Sequence, residues 1–111
     1  MDKIKESLDL ILSAIDEKNG NDTNSVYVAE FTSVADYFVI TSGDSTTKVN
    51  SIADNVISKM EKEGFLELKN RAGYQNAKWV LLDYGDIVVH IFLDSEREFY
   101  NLESLWEEFE S

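Results

Sequence analysis

His90 is the only histidine in the sequence, and it sits in the middle of "DIVVHIFL" (86–93), an otherwise apolar run. Two carboxylates, Asp83 and Asp86, stand just ahead of it, on either side of Tyr84-Gly85. A histidine general base needs a nucleophile or substrate within reach and a carboxylate to orient the ring. A metal site needs several ligands, and with no second His and no Cys only carboxylates could join His90. Paired aspartates can instead hold Mg²⁺ between nucleotide phosphates. "SGDS" (42–45), at the start of a helical pattern, could then receive a phosphate. Against this, Asp83 and Asp86 bracket a turn and are not alternate residues of one strand, and Asp is a common turn residue. The basic residues that would neutralise a triphosphate are also scarce, 10 Lys and Arg against 22 Asp and Glu. The favoured reading is structural. The aspartates close a turn, and His90 is a sheet residue with an apolar body and a polar tip beside Trp79. No catalytic residue, metal or cofactor is assigned.

The elements that position these residues follow from periodicity. Ile4, Leu8, Ile11, Leu12 and Ile15 recur at helical spacing, with Asp2 as cap, and predict a helix over about 2–18. "SVYVAEF" (25–31) alternates as a strand, and "ADYFVITSG" (35–43) is a second, more central one. Asp44 or Ser45 can cap a helix whose stripe is Val49, Ile52, Ala53, Val56, Ile57 and Met60, with Gly64 as a left-handed C-terminal cap. "FLEL" (65–68) then reads as a parallel return strand. "AKWVLLD" (77–83) and "DIVVHIFL" (86–93) form a hairpin around Tyr84-Gly85. Ser95 and Glu98 match a capping box for a last helix. The order is α-β-β-α-β-β-β-α. It predicts a small mixed α/β domain over 1–111, with about five strands and helices mainly on one face.

The hairpin lacks a polar side. With Tyr84 and Gly85 as the loop, Asp83 faces Asp86, Leu81 faces Val88 and Trp79 faces His90. Val80, Leu82, Ile87, Val89 and Ile91 share one face, suited to packing under the helices. Trp79, Leu81, Val88, His90 and Phe92 share the other. A hairpin with one wet face should alternate apolar with polar. Either the C-terminal helix covers the second face or a partner does.

Composition narrows the partner. At 111 residues with 43% hydrophobic residues, 6 Phe, 5 Tyr and 2 Trp, the chain can build one core. A formal charge of −12 argues against free RNA or DNA and suits a basic protein. Segment 94–110 carries seven acids and one base, Arg97, among Phe99, Tyr100, Leu102, Leu105, Trp106 and Phe109. It could be a solvated helix packed on the core, or an acidic rim around the apolar hairpin face. The absence of Cys, of a signal-peptide pattern and of a membrane-length apolar run fits a soluble cytoplasmic protein.

"ADYFVITSGDS" (35–45), "SIADNV" (51–56), "WVLLDYGDIVVHIF" (79–92) and "REFYNLESLW" (97–106) occur in the order and at the spacing of the ribosomal silencing factor family, RsfS or Iojap. The sequence resembles that family over most of 35–106. One departure is Ala72 before Gly73, where the family usually has Glu. The resemblance implies a nucleotidyltransferase-like fold without enzymatic activity. It implies binding to the large ribosomal subunit through a basic protein, the fourteenth of that subunit, and a steric block on joining of the small subunit when nutrients are short. By matching position it assigns the contact to Trp79, Leu81, Asp83, Val88, His90, Phe92, Tyr100, Leu102 and Glu103. Some members form homodimers, which the same apolar surface could support. The competing reading is a small nucleotide-binding enzyme built on Asp83, Asp86 and "SGDS".

Overall fold

Two amphipathic helices cover one side of a mixed sheet because their apolar stripes have nowhere else to go. In the computed structural model of the chain, which describes residues 2–73 and 76–100 (Tyr100 by its backbone alone), the order is α1 (Lys3–Glu17), β1 (Asn21–Tyr27), β2 (Tyr37–Gly43), α2 (Thr46–Glu63), β3 (Asn70–Ala72), β4 (Trp79–Asp83), β5 (Ile87–Leu93) and α3 (Asp94–Tyr100). Asp2 caps α1 by accepting from the Ile4 and Lys5 N–H groups at 3.1 and 3.2 Å. Ser45, rather than Asp44, caps α2, its Oγ accepting from the Lys48 N–H at 3.1 Å. Leu8, Ile11 and Ile15 of α1 meet Val49, Ile52, Ala53, Val56 and Met60 of α2 in one buried cluster. Each fully buried Ile, Leu or Val there stabilises the fold by about 1.5–3 kcal/mol.

The sheet runs β1-β2-β5-β4-β3, with β2 and β5 parallel and the other pairs antiparallel. The expected inner set, Val80, Leu82, Ile87, Val89 and Ile91, is fully buried under the helices. The mixed α/β architecture expected from the sequence is therefore the one observed.

Five details differ. β1 begins at Asn21 and ends at Tyr27, not at 25–31. Asp22 tolerates φ +44° there, and the chain turns after Val28, whose carbonyl accepts from the Phe31 and Thr32 N–H groups. "FLEL" is not a strand. Leu66 and Leu68 reach the core from an irregular segment, and the place beside β4 is taken by Asn70–Ala72, antiparallel. The parallel neighbour of β2 is β5. Gly64 is extended (φ −79°), not left-handed, and an added Cβ would meet the Met60 carbonyl oxygen at 2.7 Å. Ser95 lies inside the first turn of α3, which starts one residue earlier.

The fifth difference is the hairpin register. Trp79 pairs with Phe92, Leu81 with His90 and Asp83 with Val88. The loop is Gly85-Asp86, because Tyr84 extends β4 and buries its ring in the core, 2% exposed. The Tyr84 N–H donates to the Ile87 carbonyl at 2.9 Å, and Gly85 alone takes the positive φ, +84°, as a Gly-first two-residue turn requires. The shift is two residues. Side-chain period is also two, so every residue keeps the face the sequence assigned it.

Candidate protein-docking face

The register extends the outer face across the sheet. Val26 of β1 pairs with Phe38 of β2, Phe38 with Val88 of β5, Ile40 with His90, and Ser42 with Phe92. On the far side Leu81 of β4 pairs with Ala72 and Asp83 with Asn70. Paired residues share a face, so these side chains form one continuous apolar and aromatic surface opposite the helices.

Both ends of that surface are closed by the chain itself. After β1 the loop folds back, and Val28 and Ala35 are buried against Val88, with Val26, Phe38 and Leu81 packed half-buried around them. At the other end α3 contacts β5 and β2. Of the two alternatives left open by the sequence, coverage by the C-terminal helix is seen in part, at the α3 end. The loop and α3 each cover one end, and the middle remains accessible through Phe38, Trp79 and Leu81, all half-buried.

At the centre His90 is 4% exposed and keyed to Trp79. The Trp79 Nε1–H donates to His90 Nδ1 at 3.2 Å. An indole nitrogen can only donate, so Nδ1 accepts and the neutral imidazole carries its proton on Nε2. Nε2 is itself buried and has no hydrogen-bond partner among the described residues. Burial pushes the His90 pKa down from 6.5 to about 4. The ring is therefore neutral near pH 7. Around it stand Phe38, at 4.8 Å between centroids, and Trp79, at 5.9 Å; Trp79 in turn stacks on Phe92 at 5.0 Å and 29°. This matches the sheet-residue reading of His90.

The aspartates also behave as turn residues. Asp83 is half-buried, and its Oδ1 accepts from the Gly85 N–H at 2.8 Å. Asp86 is exposed, and its carbonyl accepts from the Asp36 and Tyr37 N–H groups at 2.8 and 3.1 Å. They cannot act with "SGDS" on one phosphate. β2 and β5 are parallel from Tyr37↔Ile87 to Gly43↔Leu93. Asp83 and Asp86 lie at the first end and Ser45 beyond the last, separated by about 20 Å at about 3.3 Å per strand residue. No group of three or more His, Cys, Asp or Glu among the described residues is placed to hold a metal ion. No helix among them is long and apolar enough to cross a membrane.

The nine residues expected to make the contact thus divide. Trp79, Leu81 and Asp83 are half-buried, and Val88, His90 and Phe92 are buried beside them. Tyr100 ends α3, and its side chain, with Leu102 and Glu103, lies outside the described residues. Ala72, where the family usually has Glu, is exposed and pairs with Leu81, at the margin of the same face. Sequence reasoning missed Val26, Phe38 and Ile40. Their alternation was visible in 26–40, but not which strand would pair with β5. Acids stand at both ends of the face: Asp36, Asp83 and Asp86 by the hairpin turn, and Asp94, Glu96 and Glu98 on α3.

A family model described as "Ribosomal silencing factor during starvation" (RsfS) matches residues 1–111. Ribosomal silencing factor RsfS of Halalkalibacterium halodurans is 39% identical over 102 residues, covering 92% of this chain and 86% of that one. A crystal structure of a protein from Chromobacterium violaceum superposes with a TM-score of 0.91 at 31% identity, covering 96% of this chain and 88% of that one. A mouse protein named "Mitochondrial assembly of ribosomal large subunit protein 1" is 28% identical over 107 residues, covering 92% of this chain and 46% of that one.

Proposed function

The chain belongs to the ribosomal silencing factor family, and from that premise we propose that it is a non-enzymatic repressor of translation that docks on the large ribosomal subunit in the cytoplasm. The partner is a basic protein of that subunit, the fourteenth. The bound domain occupies the surface where the small subunit would join. Occlusion needs no chemistry; it needs one stable contact, and about 800 Å² on each partner suffices.

The observation that carries this reading is the two-sided sheet. One side packs under α1 and α2. The other presents Phe38, Trp79 and Leu81, half-buried, between two acid-bearing ends. Aromatic anchors inside a charged rim are the anatomy of a protein interface, and a chain of charge −12 complements a basic protein while repelling bare RNA. The mouse relative's name points to the same subunit. The nucleotide-binding reading loses its geometric support, because its two halves lie at opposite ends of β5.

The test is co-sedimentation with purified large subunits, then reassociation with small subunits. The parent protein should sediment with large subunits and lower the yield of joined ribosomes. Trp79→Ala should weaken binding at least about tenfold, the equivalent of about 1.4 kcal/mol. A parent that stays in the supernatant at micromolar concentration removes the proposal.

A further inference from the structure

Arg97 is the only base in 94–110, and it is used on the sheet. Its Nη1 donates to the Asn21 carbonyl at 2.9 Å and to Ser42 Oγ at 3.2 Å, and its Nη2 donates to the Asp22 carbonyl at 2.6 Å. The two carbonyls converge on one guanidinium because β1 is bulged there. Pairing with β2 jumps from Asn21↔Ser42 to Asn24↔Ile40, and Asp22 sits at φ +44°. A planar fork matches two neighbouring carbonyls, whereas an ammonium would be a single point donor. A second tie joins the same elements: the Asn21 Nδ2–H donates to the Asp94 carboxylate, 3.2 Å to the nearer oxygen.

α3 follows β5 without a loop, so Arg97 ties the end of β5 to β1, across β2. Ser42 lies on the outer face, paired with Phe92. The clasp therefore holds α3 at the margin of the docking face. A helix free to swing away from β5 would leave that end of the face without a wall.

We propose that Arg97 is a positioning residue for partner binding: its fork onto the β1 bulge and Ser42 fixes α3 as the wall against which the large-subunit protein seats. The proposal rests on the docking face described above. Its advantage is preorganisation, since a wall fixed before encounter need not be ordered during it.

The experiment compares the parent with Arg97→Lys, Arg97→Gln and Ser42→Ala, by large-subunit sedimentation and by amide hydrogen exchange of the free proteins. Lysine keeps the charge and loses the fork, so Arg97→Lys and Arg97→Gln should each weaken binding by at least about fivefold. Both should speed exchange in 21–24 and 94–99 and leave the α1 and α2 amides protected. Ser42→Ala removes the Arg97 bond to Ser42 Oγ and leaves those to the Asn21 and Asp22 carbonyls, so it should weaken binding about twofold. Arg97→Lys binding like the parent while Arg97→Gln does not would reduce the role to charge and overturn the clasp. Parent-like binding by both Arg97 variants overturns it as well. If neither Arg97 variant folds, Ser42→Ala decides: parent-like binding and exchange count against the proposal. A parent that fails to sediment sinks the docking reading and this proposal with it; a binding parent with indifferent variants sinks the clasp alone.

Discussion

Trp79→Phe probes the polar contact at the centre of the outer sheet face. The substitution keeps a smaller aromatic ring beside Phe92 and removes the indole N–H that reaches His90 Nδ1 at 3.2 Å. His90 is 4% exposed, so bulk water does not replace the donor. Its other nitrogen already has no partner among the described residues, and the variant leaves the imidazole with neither nitrogen bonded. A buried acceptor left unsatisfied costs about 1–3 kcal/mol. The smaller ring of a half-buried residue forgoes roughly 0.5 kcal/mol of area burial. The expected destabilisation is about 2 kcal/mol, a large part of a total that for such domains is about 5–15 kcal/mol. Equilibrium urea unfolding at pH 7.5 measures it. Long-range proton–nitrogen correlation spectra of the parent should show His90 protonated on Nε2. A loss under about 0.5 kcal/mol, or a parent protonated on Nδ1, would refute the reasoning.

Other outcomes follow from the same geometry. The folded His90 pKa of about 4 lies below the unfolded 6.5. The unfolded chain therefore binds the extra proton first, and His90 costs the fold nothing above pH 6.5 but about 3 kcal/mol as pH falls from 6.5 to 4. His90→Gln should flatten the stability–pH curve in that window, read by urea titrations at pH 7 and 4.5; a parallel curve contradicts the assignment. The Tyr84 hydroxyl is buried without a hydrogen-bond partner among the described residues, and burial first, then the Glu61 charge, pushes its pKa up to about 12. Tyr84→Phe should be neutral or stabilising by up to about 1 kcal/mol, and ultraviolet titration should show one tyrosine ionising last. Gly73 sits at φ +81°, where an added Cβ would run into the Trp79 carbonyl oxygen. Gly73→Ala should cost more than about 2 kcal/mol in the same unfolding assay, and a silent substitution would contradict the turn geometry.

The helices were legible because their signal is local. Each stripe repeats within one segment, and Asp2 and Ser45 cap through their own neighbours. Strand faces were legible for the same reason: period two survives any register shift of two. Strand partners were not. "FLEL" has the apolar alternation of a strand, yet Leu66 and Leu68 satisfy it by reaching the core without a ladder. The hairpin turn slipped because Tyr84 looks like a turn neighbour of Gly85, while burial of its ring favours one more strand residue. β1 slipped the other way. A polar edge strand over "NDTN" has no apolar pattern to announce it, and its bulge answers to Arg97, 75 residues from Asp22 in the chain. Half of the outer face was therefore visible in 79–92, and the half from β1 and β2 depended on pairings no local pattern encodes. Leu102 and Glu103, assigned by family resemblance, lie outside the described residues.

The most direct measurement is an amide hydrogen-exchange footprint of the protein on purified large subunits. The docking account predicts added protection at 37–42, 79–83 and 88–92, the strands of the outer face, with α1 and the exposed side of α2 unchanged. Protection of α1 and α2 with the outer-face strands unchanged would contradict it.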